Sequence, residues 1–462
     1  MTVTSPTSAT PASTGPTGTA PTSIAPTSTA PISTALLTDH YELTMLQAAL
    51  HSGAAGRHCV FEVFPRRLPE GRRYGVVAGT GRLLDAVRDF RFGAAEIERL
   101  RAADVVDSRT LDFLSTYRFT GDIWGYAEGD CFFPGSPLLV VEGTFAQSVL
   151  LETVLLSILN YDSAVASAAS RMTNAAGDRP CIEMGSRRTH EWAAVAAARA
   201  AYIAGFATSS NLEAGRTYGV PTAGTSAHSF TLLHDDEREA FEAQVASLGT
   251  GTTLLVDTYD VPTAVSLAVE IAGVGLGAVR LDSGDLLVQT RQVRAQLDAL
   301  GAMNTRIVVT SDLDEHSIAA LAAAPVDVYG IGTALVTGSG APTVGLVYKL
   351  VAREDSAGDL VAVAKRSKGK LSVGGRKWAM RRIDADGVAE AEVIGIGDMP
   401  DTDGNDRSLL VALMRDGEIL ARPALDAARA HYEQSLAELP PRALQLSRGE
   451  PAIPTIYEGG LR

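Results

Sequence analysis

"TLLVDTYD" (253–260), "GAVRLDSGDL" (277–286), "RIVVTSDLD" (306–314) and "VDVYGIGTAL" (326–335) are four short apolar runs, each closed by Asp, Ser, Thr or Gly. They recur roughly every 20–30 residues, and most lead into residues with helical spacing. Continuous apolar runs fit strands covered on both faces, and the recurrence fits repeated βα units. If such strands close into a barrel, their C-terminal ends share one rim, where the polar residues converge. An Asp or Ser after a strand is also an ordinary helix N-cap. Four polar exits in succession, three of them with an acid, favour a site.

Outward from this core, Ala-rich helical patterns occupy 147–176 and 189–205. The region before them is mixed. "LLTDHYELTMLQAAL" (36–50) reads as a helix with Thr38 or Asp39 as its cap and Leu43, Met45, Leu46 and Leu50 inside. Strand-like and helical runs then alternate up to about residue 146. After Tyr348 come strand-like runs and a helix, "ALDAARAHYEQSLAEL" (424–439). The expected organisation is a disordered tail at 1–33, an α+β domain at 34–146, an α/β barrel at 147–348, and a segment at 349–462 that packs back on the first domain. The tail is rich in Thr, Ser, Pro and Ala and almost uncharged, so it cannot bury enough apolar surface to offset ordering entropy.

The 462 residues carry a net charge of −14, which argues against nucleic-acid binding, where a basic surface supplies most of the affinity. A local cationic pocket for a polyanionic small substrate is compatible with it. The best membrane candidate, 148–159, is short of the roughly 20 residues a bilayer span needs and reads as a buried helix. Cys59, Cys131 and Cys181 form no CxxC pair, so the expected compartment is a reducing cytoplasm.

Several residues carry candidate chemistry. In "DVYGIGTALVTG" (327–338), Gly330, Gly332 and Thr333 stand between a strand and a helix, where backbone N–H groups can approach a phosphate. No GKS or GKT follows, so this is not a P-loop. "RLDSGDL" places Arg280, Asp282, Ser283 and Asp285 within six residues, with Arg280 and Asp282 on one strand face. An Arg beside carboxylates suits a substrate with a carboxylate and Mg²⁺-chelated phosphates; a buried ion pair is the plainer alternative. Arg187 and Arg188 precede a helix whose dipole they oppose, a cost that suggests an anion nearby. The basic run at 363–378 reads as a loop able to close over phosphates, or as a solvated turn. His228 sits in "PTAGTSAHSF" (221–230), among side chains too small to fill the space around an imidazole. It can serve as base, nucleophile or metal ligand, although a lone His is most often a satisfied core residue. An aldolase or isomerase barrel would need a Schiff-base lysine or a positioned Glu base, and the four strand runs contain no lysine.

"LLTDHYELTM", "FEVFPRRLP", "EMGSRR", "GFATSSNLEAG", "TAGTSAHSF", "VRLDSGDL", "VVTSDLDE" and "GIGTALVTG" occur in one order along residues 36–338. Together they resemble nicotinate phosphoribosyltransferase. The resemblance implies the irregular α/β barrel of type II phosphoribosyltransferases plus an α+β sheet domain built from N- and C-terminal segments. It implies conversion of nicotinate and 5-phosphoribosyl 1-diphosphate into nicotinate mononucleotide and diphosphate, with Mg²⁺ as cofactor and ATP as co-substrate. By motif position His228 would be a phosphohistidine, and Tyr41, Thr225 and Arg280 nicotinate contacts. Thr333 would contact the phosphoribosyl diphosphate, with Gly330, Gly332, Ser283, Ser311, Arg187 and Arg188 as further phosphate contacts. Asp282 and Asp285 would hold Mg²⁺ through water, with no direct ligand. The resemblance also implies a homodimer with shared active sites. Rival readings are a nicotinamide- or quinolinate-using relative, or a non-catalytic paralogue on the same fold. Ser186 departs from the aliphatic residue many of the family carry before the paired arginines.

Overall fold

Six parallel strands form the barrel wall, in the order Thr208–Ser209, Cys181–Glu183, Val328–Ile331, Arg306–Val309, Ala278–Leu281, Thr253–Leu255. A parallel bridge from Ser209 to Thr222 extends the outer end. Among the described residues no ladder joins Thr222 to Thr253–Leu255, so the barrel is irregular and has one seam. The computed structural model describes residues 33–365, 372–401, 404–420, 422 and 424–458. Apart from Ser33, the expected tail lies outside these residues, as does the centre of the 363–378 basic run.

The strands bury both faces. Val328–Ile331 is buried throughout, and Leu254, Val279, Leu281, Ile307 and Val309 belong to one core with the surrounding helices. The exits of the Thr253, Ala278 and Arg306 strands each carry two acids with separate fates. Asp260, Asp285 and Asp314 cap the helices Val261–Ala272, Leu286–Ala299 and Glu315–Ala320, accepting from Thr263, Val288 and Ser317 amides. The earlier acid of each pair, Asp257, Asp282 or Asp312, stands at the strand end. The N-cap reading is therefore correct for the second acid of each exit.

Beside the barrel lies a seven-stranded antiparallel sheet, in the order Leu360–Ala362, Leu346–Glu354, His58–Pro65, Leu139–Thr144, Asp122–Tyr126, Leu410–Arg415, Glu418–Ile419. N- and C-terminal segments thus build it together. The strand Leu346–Glu354 crosses the 348/349 boundary expected from the sequence, because its residues pair with the first sheet strand from Cys59 to Pro65. A four-stranded sheet, Arg407–Ser408, Lys377–Ile383, Ala389–Ile396 and Thr455–Tyr457, adds to the C-terminal half. The helix Leu425–Ala437 packs on the barrel as well as on the first region: Arg429 donates to the carbonyls of Tyr202 and Phe206.

Two expectations change. In the helix His40–Ser52, Glu42 is buried and held by Thr38 and Thr153 hydroxyls, so the inner face turns and Met45 is exposed. The helical stretch Phe145–Ala176 is long and apolar enough to cross a membrane by length and composition. It is nevertheless mostly buried in the protein, with Ser167 accepting from the Val76 amide and Arg171 paired to Glu315. Those contacts make it a core helix.

Candidate active site

At the C-terminal rim, the exits of the Cys181, Ala278, Arg306 and Val328 strands surround a pocket of about 220 Å³. Its walls include Arg187, Arg188, Arg280, Asp282, Ser311 and Thr333. Gly330 and Gly332 also line it, for different reasons. A Cβ at Gly330 would fall 2.5 Å from Thr310 Cγ2, so packing demands glycine there. At Gly332 the nearest atom to a Cβ would be 3.5 Å away, so packing leaves that position open and the backbone bare toward the pocket.

Arg280 is the fixed point. Its Nη1 donates to Thr225 Oγ1 at 2.5 Å and to the Ser226 carbonyl at 2.9 Å, and Nη2 lies 3.9 Å from Asp282 Oδ1. Burial, above all, lowers its proton affinity, while Asp282 and Asp257 work against that shift. Arg280 Nε is buried with no hydrogen-bond partner. Buried donors normally find a partner, so an orphan at a pocket wall points to a ligand.

His228 opens the four-residue helix His228–Thr231, directly across the seam from the Thr253 strand. Its Nδ1 lies 3.2 Å from Thr258 Oγ1. Nε2 faces two carboxylates, Asp257 Oδ1 at 3.9 Å and Asp282 Oδ2 at 3.8 Å. The Asp257 side chain is almost wholly buried, and its Oδ2 accepts from the Asp282 amide and Ser283 Oγ, both at 2.8 Å. Its Oδ1 is buried and unpartnered, the second orphan of this rim. Asp282 Oδ1 in turn accepts from Thr310 Oγ1.

The structure therefore brings together Arg187, Arg188, Arg280, Asp282, Ser311, Gly330, Gly332 and Thr333, with Thr225 and His228 bonded into the same rim. Three expected residues fall elsewhere. Asp285 is spent on its helix cap. Ser283 supports Asp257 from behind. Tyr41 is not among the pocket's lining; it lies on the half-exposed face of the His40–Ser52 helix, its phenol raised by burial and by Glu152. Asp257, Thr258 and Asp312 were not singled out from the sequence, although each stands one to three residues past an apolar run. Ser186, the departure noted above, accepts from Asn211 Nδ2 at 3.0 Å and so ties the arginine turn to the next exit.

Ser311 has φ of +114°, a conformation that costs a non-glycine residue about 1–3 kcal/mol. Strain of this kind persists where a site over-determines the backbone. Ser311→Gly is expected to gain about 1 kcal/mol in denaturant unfolding, since glycine adopts this φ without that cost. Unfolding curves of the two proteins under one set of conditions check it.

A barrel joined to a composite sheet in this way recurs in solved structures. The crystal structure of human nicotinic acid phosphoribosyltransferase superposes with a TM-score of 0.78 at 27% identity, covering 92% of this chain and 98% of that one. A nicotinate-nucleotide pyrophosphorylase from Pyrococcus furiosus shares the fold, with a TM-score of 0.71 at 24% identity. The fold is that of the type II phosphoribosyltransferases. Residues 36–160 match the family model of the nicotinate phosphoribosyltransferase N-terminal domain. The nicotinate phosphoribosyltransferase pncB1 of Mycobacterium tuberculosis is 59% identical over 429 residues, 91% of this chain and 94% of its own. The Bacillus subtilis nicotinate phosphoribosyltransferase is 35% identical over 360 residues, with 76% and 73% covered. The chain belongs to the nicotinate phosphoribosyltransferase family.

Proposed function

We propose that this protein is a nicotinate phosphoribosyltransferase, coupled to ATP through His228. The nicotinate ring nitrogen attacks C1 of 5-phosphoribosyl 1-diphosphate; the new C–N bond forms as the C–O bond to diphosphate breaks. One observation carries the substrate reading. Arg280 is locked by Thr225 and Ser226 yet keeps a buried, unmatched N–H beside a phosphate-sized cradle. A guanidinium fixed in this way can bind a pyridine carboxylate.

The remaining roles follow from position. Gly332 and Thr333 offer backbone N–H groups to the ribose phosphate, with Ser311 beside them. Arg187 and Arg188 face the diphosphate, and Asp312 can accept from ribose hydroxyls. The unpartnered Asp257 oxygen and Asp282 fit Mg²⁺ held through water, where the ion would neutralise the leaving diphosphate. Asp285, occupied by its cap, is left out of that set. With the imidazole proton on Nε2, toward the two carboxylates, Nδ1 carries the lone pair that attack on a phosphorus needs. Transfer from ATP then forms an N–P bond as the bond to ADP breaks, and hydrolysis returns the histidine.

We infer a homodimer with shared sites. Trp192, Leu212, Leu232, Leu233 and Tyr259 are exposed around the barrel rim, and Leu37, Tyr41 and Met45 are exposed on and beside the His40–Ser52 helix. Exposed apolar groups so grouped mark a contact surface. A second copy would bring Tyr41 to Arg280, where its ring could stack on the pyridine. Three buried free cysteines suit a cytoplasmic setting.

The test is direct. Protein supplied with nicotinate, 5-phosphoribosyl 1-diphosphate and Mg²⁺ should form nicotinate mononucleotide, faster with ATP, and none of the amide product from nicotinamide. Folded protein that leaves nicotinate unchanged overturns the proposal.

A further inference from the structure

A larger cavity, of about 580 Å³, lies where the 69–72 loop, the Phe145–Ala176 helix and the 446–448 segment meet the barrel. Its floor is a charged cluster. Arg72, Arg171 and Glu315 are each less than 8% exposed. Arg72 Nη1 and Arg171 Nε both reach Glu315 Oε1, at 3.3 and 3.0 Å, while Ser339 Oγ donates to Oε2 at 2.5 Å. Arg72 Nη2 donates to the Gly338 carbonyl, and Arg171 Nη1 and Nη2 to the Gly71 and Leu446 carbonyls.

Two guanidiniums thus share one carboxylate, which leaves a buried excess of one positive charge. The five hydrogen bonds engage about half of the N–H donors that two such groups carry. Asp314, at the edge, is occupied as a helix cap, and Glu70 is paired with Arg448 at the exposed mouth. Burial, reinforced by neighbouring Arg171 and opposed by Glu315, lowers the proton affinity of Arg72. A phosphate oxyanion matches this surplus: its monoanion offsets the single positive charge and its oxygens accept from the unused donors.

The cavity also shares two walls with the active pocket. The segment that supplies Thr310, Ser311 and Asp312 to the active pocket supplies Asp314, Glu315 and His316 here. The short helix Thr333–Val336 carries Gly332 and Thr333 there at its start, and the turn after its end supplies Ser339 and Gly340 here, both with positive φ. We propose that this cavity is a second anion site, taking inorganic phosphate or the phosphate of a small phosphomonoester, distinct from the substrate pocket and built against its back.

Equilibrium dialysis of the full chain with labelled inorganic phosphate tests this, using Arg187→Ala/Arg188→Ala protein to weaken the substrate pocket. That protein should retain one phosphate per chain. Adding Arg72→Gln should abolish it, and adding the exposed Arg448→Glu, which puts no buried contact at risk, should weaken it several-fold. Glycerol phosphate run in parallel identifies the source: displacement at lower concentration than phosphate itself assigns a phosphomonoester, and the reverse assigns the free ion. No phosphate bound to the Arg187→Ala/Arg188→Ala protein, or binding that Arg448→Glu and Arg72→Gln leave unchanged, overturns the proposal. Because the readout is binding, it stands or falls separately from the activity assay.

Discussion

Protein with His228→Ala is expected to form nicotinate mononucleotide at one rate whether or not ATP is supplied. The side chain is 38% exposed and opens a helix of four residues, so its loss leaves the core untouched. What disappears is the imidazole placed between Thr258 and the two rim carboxylates. Incubation with γ-labelled ATP should mark the wild-type chain with an acid-labile, alkali-stable phosphate and leave the variant unmarked. Asp257→Asn extends the same argument. It keeps the shape that receives Ser283 and the Asp282 amide but removes the charge facing Nε2. Loss of a positioned proton partner is worth roughly 10²–10⁴-fold, so the ATP-coupled rate should fall by about that much, and the ATP-free rate should fall as well, because the same carboxylate belongs to the set proposed to hold Mg²⁺. ATP stimulation that survives in the His228→Ala protein would sink the phosphohistidine assignment.

The second large effect concerns the missing tyrosine. Arg280→Ala removes a charge-assisted, two-pronged contact and should lower kcat/KM by about 10²–10³-fold. Tyr41→Ala forfeits ring stacking worth about 0.5–1.5 kcal/mol, close to a tenfold loss at most. If each site takes Arg280 from one copy and Tyr41 from the other, chains of the two kinds complement. Subunits exchanged at equal ratio give mixed dimers as half the population, each with one intact site. The mixture should therefore recover at least about a quarter of wild-type activity, well above the mean of the two parents. Activity that stays at the mean of the parents, in preparations shown to have exchanged subunits, would mean that each chain completes its own site.

The barrel was legible because its strands are uninterrupted apolar runs with polar exits, a pattern that survives without knowledge of neighbours. The composite sheet was legible only in outline. Strand pairing such as Cys59 with Arg353 leaves no local trace, which is why the 348/349 boundary cut a strand. At the site, Arg280, Asp282 and the glycine turn announced themselves by odd composition in an apolar setting. Asp257 did not, since an acid after a strand looks the same whether it caps a helix or faces a ligand. Its burial and its unpartnered oxygen separate the two, and both are properties of the fold. Asp285 shows the converse error: it was grouped with Asp282 by spacing, and the helix that begins at Leu286 claims it. The Arg72, Arg171 and Glu315 cluster draws on three positions far apart in the chain and has no sequence signature.

The woven sheet also sets a timetable. As the chain leaves the ribosome, His58–Pro65 can find Leu139–Thr144 early, but its other neighbour, Leu346–Glu354, begins some 280 residues later. At a translation speed of about 5–20 residues per second that interval lasts roughly 15–60 s. Throughout it, a strand that is apolar along most of its length presents an open edge, the surface most prone to pairing with a stranger. The barrel, whose strands follow one another in order, can form during the same interval. Birth of this enzyme is thus a wait by its first strand for a partner made far downstream, and a cell making it quickly must shield that edge until the closing strand arrives.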